Sequence, residues 1–116
     1  MKNPVVEKSI EVALLIIEYC EILEANRKYV IARQLLKSGT SIGANIHEAQ
    51  NAESKADFIH KIKIATKELE ETKYWLTLCE KSKNYPSHPV LKEKVRELGL
   101  ISYKILSTSI KSKQEN

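Results

Sequence analysis

Residues 41–78 read SIGANIHEAQNAESKADFIHKIKIATKELEETKYWLTL, and this stretch decides the fold. Its second half carries apolar residues at alternating three- and four-residue intervals, the pattern of a helix that packs one side on a core. Ser54, with Asp57 three residues later, resembles a capping box and predicts where this helix begins. The apolar seam consists of Phe58, Ile62, Ala65, Leu69, Thr72, Leu76 and Cys79.

Local signals place three more helices around this one. Asn3 precedes Pro4, a pair typical of the N-cap and first position of a helix. Asn26 and Arg27 form a tight connection, and residues 84–89 form the one long loop. We predict helices at about 4–25, 28–51, 55–83 and 89–111. Because short connections make successive helices antiparallel neighbours, the predicted fold is an all-α, up-down-up-down four-helix bundle.

Length and composition agree with a single helical domain. The chain has 116 residues with only three Gly and three Pro, and it needs no metal or disulfide to bury a core. The longest apolar run, Val12 to Ile17, is too short for a membrane helix or a signal peptide. We therefore expect a cytoplasmic protein without membrane contact. Cys20 and Cys79 lie on apolar helix faces and are expected to be reduced core thiols.

Two helices carry more apolar surface than a monomeric bundle needs. The first helix has one stripe of Val6, Ile10, Ala13, Leu14 and Ile17, and an opposite stripe of Val5, Val12, Ile16, Tyr19 and Leu23. A second stripe on the third helix consists of Ile64, Trp75 and Leu78. Because large exposed apolar patches are unusual on monomers, we predict a homo-oligomer. The predicted interface is Val12, Ile16, Tyr19, Ile64, Trp75 and Leu78; the alternative is a wide stripe that serves two neighbours within one bundle.

The second helix carries two glycines and a polar line. Gly39 and Gly43 are one turn apart, which indicates close approach of a neighbouring helix or, alternatively, a kink. Ser41, Asn45 and Glu48 share one face, which could be solvated, could contact another subunit or could contact a ligand. Glu48 could also pair with Arg33, Lys37 or a neighbouring chain.

The positive charge is distributed unevenly. The net charge is +4, and residues 26–52 contain four basic residues with Glu48 as the only acid. Such a surface could attract RNA or DNA phosphates without regard to base sequence. The aromatic residues form no stacking row among the basic ones, which disfavours base-specific readout. The candidate nucleic-acid-binding residues are Arg27, Lys28, Arg33, Lys37, Lys92, Lys94, Arg96, Lys104, Lys111 and Lys113.

A second function class is a scaffold that binds a protein partner and no nucleic acid. The acidic residues Glu7, Glu11 and Glu18 of the first helix would suit that role better than the basic helices. Ordinary solvation of the charged residues is the remaining alternative.

Residue patterns for catalysis or metal binding are incomplete. His47 and Glu48 begin a zinc-protease pattern, but its second histidine is replaced by Asn51. Asp57 and His60 resemble half of a di-iron site, which needs a second such pair and further carboxylates. We expect no enzyme activity, no metal and no cofactor.

Most of the chain, from about residue 8 to 110, resembles the 23S rRNA intervening-sequence protein family, also called the S23-like family, and the resemblance is densest at residues 41–69. The matching residues are Ser41-Ile42, Asn45-Ile46, Glu48-Ala49, Ser54, Asp57-Phe58, Ile64-Ala65, Glu68 and Leu69. The family often has Gly where this chain has Ala49, which should lengthen or stiffen the end of the second helix.

The resemblance implies a four-helix bundle that assembles as a homopentamer. A related branch is the accessory protein of diversity-generating retroelements, a basic pentamer that binds nucleic acid and a reverse transcriptase. Most members of the family have no established activity, so the resemblance leaves the ligand open.

Overall fold

The computed structural model describes residues 3–115 and contains four helices. They are α1 (Pro4–Ala25), α2 (Tyr29–Ala49), α3 (Lys55–Lys81) and α4 (Pro89–Glu115). The all-α prediction is confirmed, and the predicted helices differ from the observed ones only at their ends. The largest difference is in α4, which continues to Glu115 instead of ending near Lys111. None of these helices is long and apolar enough to cross a membrane.

The helices form an antiparallel square. Each helix packs against the two that are adjacent in the cycle α1–α2–α3–α4, and the backbones of the diagonal pairs α1–α3 and α2–α4 do not approach each other. The predicted up-down-up-down bundle is therefore confirmed. One contiguous core fills the centre, and Leu35, Leu69 and Leu98 are fully buried in it.

The α1–α2 connection is a tight turn with a left-handed residue. The N–H of Lys28 donates to the carbonyl of Leu23 at 2.8 Å, and the N–H of Arg27 donates to Glu24 at 2.9 Å. These two bonds form a Schellman motif, in which the residue after the C-cap is usually glycine. Arg27 occupies that position with φ of 63°.

The α1 part of the predicted subunit interface is wrong, because its residues face the core. Val12 and Ile16 have no exposed surface and Tyr19 is 2% exposed, so these three residues belong to the core of the single chain. A residue that is buried within one subunit cannot contact another. The solvent-facing stripe of α1 is the other one, in which Ile10 is 45% and Leu14 is 62% exposed. Because α1 is apolar on both sides, its sequence does not indicate which side faces inward.

Two glycines on α2 explain why the side of α1 that carries Val12, Ile16 and Tyr19 faces the core. A Cβ atom added at Gly39 would lie 2.7 Å from Cγ1 of Ile16, and one added at Gly43 would lie 3.2 Å from Oγ of Ser9. The predicted close approach of a neighbouring helix is therefore correct, and that helix is α1.

Side chains fix the other helix ends. Oγ of Ser54 accepts from the N–H of Asp57 at 3.0 Å, as predicted, whereas Asn3 makes no side-chain cap bond at its helix. The α3–α4 loop is held by the hydroxyl of Tyr19, which donates to the carbonyl of Pro86 at 2.7 Å. Nδ1 of His88 accepts from the N–H of Leu91 at 3.1 Å and caps α4.

Candidate functional site

Four of the candidate cations follow one another along the α1–α2 turn and the first half of α2. Arg27, Arg33 and Lys37 are exposed and Lys28 is half-buried; we call these four residues the α2 basic surface. Within residues 3–115 none of them forms an ion pair. No Asp or Glu occurs between positions 25 and 47. Lys37 does act on Glu68 of α3: burial and Glu71 raise the pKa of this carboxyl, and the positive charge of Lys37 opposes that rise.

The α4 candidates differ because carboxylates neutralise them. Nζ of Lys92 lies 2.5 Å from Oε2 of Glu80, and Nζ of Lys94 lies 3.0 Å from Oε1 of Glu11. Arg96 forms a forked contact with Glu93. The hydrogen bonds from Lys92 and Arg96 lower the pKa of Glu80 and of Glu93.

The remaining α4 candidates, Lys104, Lys111 and Lys113, are exposed and form no ion pair within the described part of the chain. They lie on the helix diagonally opposite α2. The predicted cations therefore do not form one surface in a single subunit. The α2 basic surface is the part that combines free charge with the absence of neighbouring acids along its own helix.

Two tyrosines flank the α2 basic surface at its turn. Nζ of Lys28 lies 4.8 Å from the ring centroid of Tyr85, and the ring of Tyr29 is half exposed. A depression of about 200 Å³ lies between the α1–α2 turn and the α3–α4 loop, and its lining includes both tyrosines. This grouping was not predicted from the sequence. Tyr29 directly follows two cations, which is a usable signal, but nothing in the sequence brings Tyr85 to the same place.

The polar line of α2 is largely engaged within the chain. Oγ of Ser41 donates to the carbonyl of Lys37 at 2.6 Å, and Nδ2 of Asn45 donates to the carbonyl of Ser41 at 2.9 Å. Glu48 pairs with Lys61 of α3 at 3.3 Å rather than with Arg33 or Lys37. Ser41 and Asn45 therefore interact with their own helix, and Glu48 joins α2 to α3.

The predicted interface residues of α3 lie on the surface. Ile64, Trp75 and Leu78 are half-buried, and Nε1 of Trp75 donates to Oε1 of Glu71 at 3.3 Å. The exposed α1 stripe of Ile10, Leu14 and Ile17 was not assigned to an interface from the sequence. It borders a groove of about 290 Å³ between α1 and α2, whose floor includes Gly43.

Potential metal ligands are scattered. In the described residues no group of three or more His, Cys, Asp or Glu side chains is placed to hold a metal ion. Nδ1 of His47 contacts the carbonyl of Gly43 at 2.8 Å, and His60 is exposed. Cys20 and Cys79 are both buried and free, and burial raises the pKa of the Cys20 thiol to about 12.

Comparison with known proteins identifies the family. A search of curated proteins found no match to the chain. Among solved structures, one similar protein is a Bacteroides thetaiotaomicron protein of unknown function from the S23 ribosomal protein family. It is 39% identical, with a TM-score of 0.83, over 88% of this chain and 97% of that one. Residues 1–105 match the family described as 23S rRNA-intervening sequence protein. The chain belongs to the 23S rRNA-intervening sequence protein family.

Proposed function

We propose that this chain is a non-enzymatic, oligomeric helical bundle that associates with RNA or DNA through the α2 basic surface, with little regard to base sequence. The supporting observation is the contrast between two sets of cations. Arg27, Lys28, Arg33 and Lys37 form no ion pair in residues 3–115, whereas three of the α4 candidates are held by carboxylates.

This contrast has a direct electrostatic consequence. A phosphate that approaches Lys92 or Arg96 also approaches Glu80 or Glu93, so its attraction to the cation is offset by repulsion from the acid. A phosphate that approaches Arg33 meets no acid on the same helix between positions 25 and 47. Affinity and its dependence on salt should therefore originate from α2 rather than α4.

The family supports RNA as the first ligand to test. Its description refers to intervening sequences of 23S rRNA, and residues 1–105 match it. The scaffold alternative receives less support, because two of its three acidic residues have partners within the chain. Glu11 pairs with Lys94, and Glu18 lies 3.5 Å from His88.

Two double variants test whether binding depends on the position of the cations or only on the net charge of the protein. Arg33→Gln/Lys37→Gln removes two unpaired cations, and the matched control Lys92→Gln/Arg96→Gln removes two paired ones. Fluorescence anisotropy of each against a structured RNA, a duplex DNA and a single strand would be titrated across salt. The α2 variant should bind all three more weakly, and its salt slope on duplex should fall by about 1.8, because each lost phosphate contact removes about 0.9.

The control should bind nearly as well as wild type. Equal losses in both variants would show that net charge alone drives binding, which contradicts the proposed location. No binding by the wild-type protein at low salt would overturn nucleic-acid association itself. A defined protein recovered by pull-down after nuclease treatment would then favour the scaffold.

The oligomer is the second part of the proposal. The exposed α1 stripe and the α3 stripe of Ile64, Trp75 and Leu78 are different apolar surfaces on one subunit. Two different surfaces that meet between copies form a head-to-tail contact, which closes into a ring if the rotation permits. A homopentamer, which the family resemblance implies, is such a ring.

Charged substitutions test the assembly. Leu14→Glu and Trp75→Glu should each reduce the mass measured by light scattering while far-UV circular dichroism stays helical. The control is Leu100→Glu, because Leu100 is 61% exposed on α4 and lies outside both stripes. An unchanged mass for both variants would exclude these surfaces from the interface.

A further inference from the structure

The depression beside the α1–α2 turn combines cations with exposed aromatic surface. Arg27, Lys28, Tyr29, Val30, Ile31 and Tyr85 line it; we call these six residues the tyrosine cleft. It joins residues from two connections that are far apart in sequence, and it is continuous with the α2 basic surface through Arg27 and Lys28.

The two rings of the tyrosine cleft have different surroundings. One face of Tyr85 is covered by the Lys28 ammonium at 4.8 Å, so this ring helps to position a cation. Tyr29 is 51% exposed at the first position of α2. Its neighbour Val30 is 71% exposed and adds apolar surface beside the ring.

We propose that the tyrosine cleft binds an unpaired base of a single-stranded nucleic acid, which stacks on Tyr29 while Arg27 and Lys28 contact the adjoining phosphates. This inference rests on the proposed function and specifies which form of nucleic acid the surface prefers. Every base has a flat aromatic face, so stacking on one tyrosine favours single strands without selecting a sequence.

A duplex cannot use the cleft in the same way. Its bases are already stacked on each other, so their faces are not available to Tyr29 unless a base is extruded. The duplex still contacts the cations through phosphate. Removal of the ring should therefore weaken binding of a single strand specifically, whereas removal of a cation should weaken both forms.

Substitutions at Tyr29 test this distinction. Tyr29→Ala should lower the affinity for a single-stranded oligonucleotide by roughly fivefold to a hundredfold, the usual effect of losing one stacked base. Duplex affinity should be unchanged, and so should the salt slope, because no phosphate contact is lost. Tyr29→Phe keeps the ring and should bind like wild type. Tyr29→Leu keeps apolar bulk without the ring and should behave like Tyr29→Ala.

A second exposed tyrosine provides the matched control. Tyr74 is 57% exposed in the C-terminal half of α3 and lies edge-on to Trp75 with ring centroids 5.4 Å apart. It is absent from the cleft, so Tyr74→Ala should leave the affinity for single strands unchanged.

The results separate this inference from the function on which it rests. If wild type binds nucleic acid but Tyr29→Ala binds the single strand as well as wild type does, base stacking in the tyrosine cleft is refuted. The proposal that the α2 basic surface binds phosphate is then unaffected. An equal loss for duplex and single strand would also overturn stacking. If wild type binds no nucleic acid, the proposed function fails first.

Discussion

Substitution of Gly39 by alanine tests the contact that sets the α1–α2 distance. In an open helix this change stabilises by about 1 kcal/mol, because alanine has the higher helix propensity. Here the added Cβ would lie 2.7, 2.8 and 2.8 Å from three carbons of Ile16. Ile16 has no exposed surface, so its side chain cannot relieve the contact by turning into solvent.

The balance of these effects can be estimated. Overpacking of a filled core costs about 1–3 kcal/mol. With three contacts below 3.0 Å we expect the upper half of that range, and a net destabilisation of about 1–2 kcal/mol after the gain in propensity. Urea unfolding followed by far-UV circular dichroism, at one fixed protein concentration, measures this change.

A double-mutant cycle identifies the cause. Ile16→Ala alone should cost about 2–5 kcal/mol, and in the Gly39→Ala background it should cost about 2–3 kcal/mol less, because the clash has been removed. Gly99→Ala is the control, since its added Cβ would lie 3.3 Å from the end of the Leu69 side chain. If the Gly39→Ala variant were as stable as the Gly99→Ala variant, or if the cycle showed no coupling between positions 16 and 39, the close approach of α1 and α2 would be refuted.

Three further substitutions or treatments follow from the core and its edge. Ser102→Ala should raise the free energy of unfolding by about 1 kcal/mol, since this buried hydroxyl has no hydrogen-bond partner among residues 3–115; a lower urea midpoint would contradict this. Burial raises the pKa of Glu68 in the folded state above its ordinary value of 4.5. The ionised carboxylate is then less favourable in the folded than in the unfolded state, so Glu68 destabilises the fold increasingly as pH rises through the unfolded-state and folded-state pKa values. Glu68→Gln should therefore stabilise at pH 7 and have no such effect below about pH 4, and a pH-independent difference would count against burial as the cause. Cys20 and Cys79 should resist alkylation at neutral pH until urea unfolds the chain, because both thiols are buried with raised pKa values; rapid modification of native protein would disprove it.

Helix positions were predictable because local signals mark them. Pro4, Ser54 and Pro89 each lie at or next to the first residue of a helix, and chemistry within one turn determines their effect. The glycines of α2 also predicted a close helix contact, since two glycines one turn apart in a helix usually allow a neighbouring helix to pack closely. The antiparallel bundle followed from short connections.

The inward side of α1 and the cross-helix partners of Lys92 and Lys94 were not predictable, whereas the Arg96–Glu93 pair lies three residues apart on one helix and could have been read from the sequence. Val12 and Ile10 are both apolar, and packing against neighbouring helices, including the Gly39 and Gly43 surface of α2 that meets Ile16 and Ser9, accompanies burial of the Val12 side. Lys94 reads as a free cation in the sequence, but its partner Glu11 belongs to another helix. Pairing across helices depends on the register between them, which no local pattern encodes.

Arg27 combines conformational strain with charge. A left-handed backbone costs a side-chain-bearing residue roughly 1–2 kcal/mol, which glycine avoids. Its φ of 63° is the geometry for which glycine would be the more stable choice, yet the chain places there a guanidinium that borders the tyrosine cleft. Arg27→Gly should therefore yield a more stable protein that binds phosphate less well. A selection for thermal stability alone would favour glycine at this turn, and a selection for ligand capture would retain arginine.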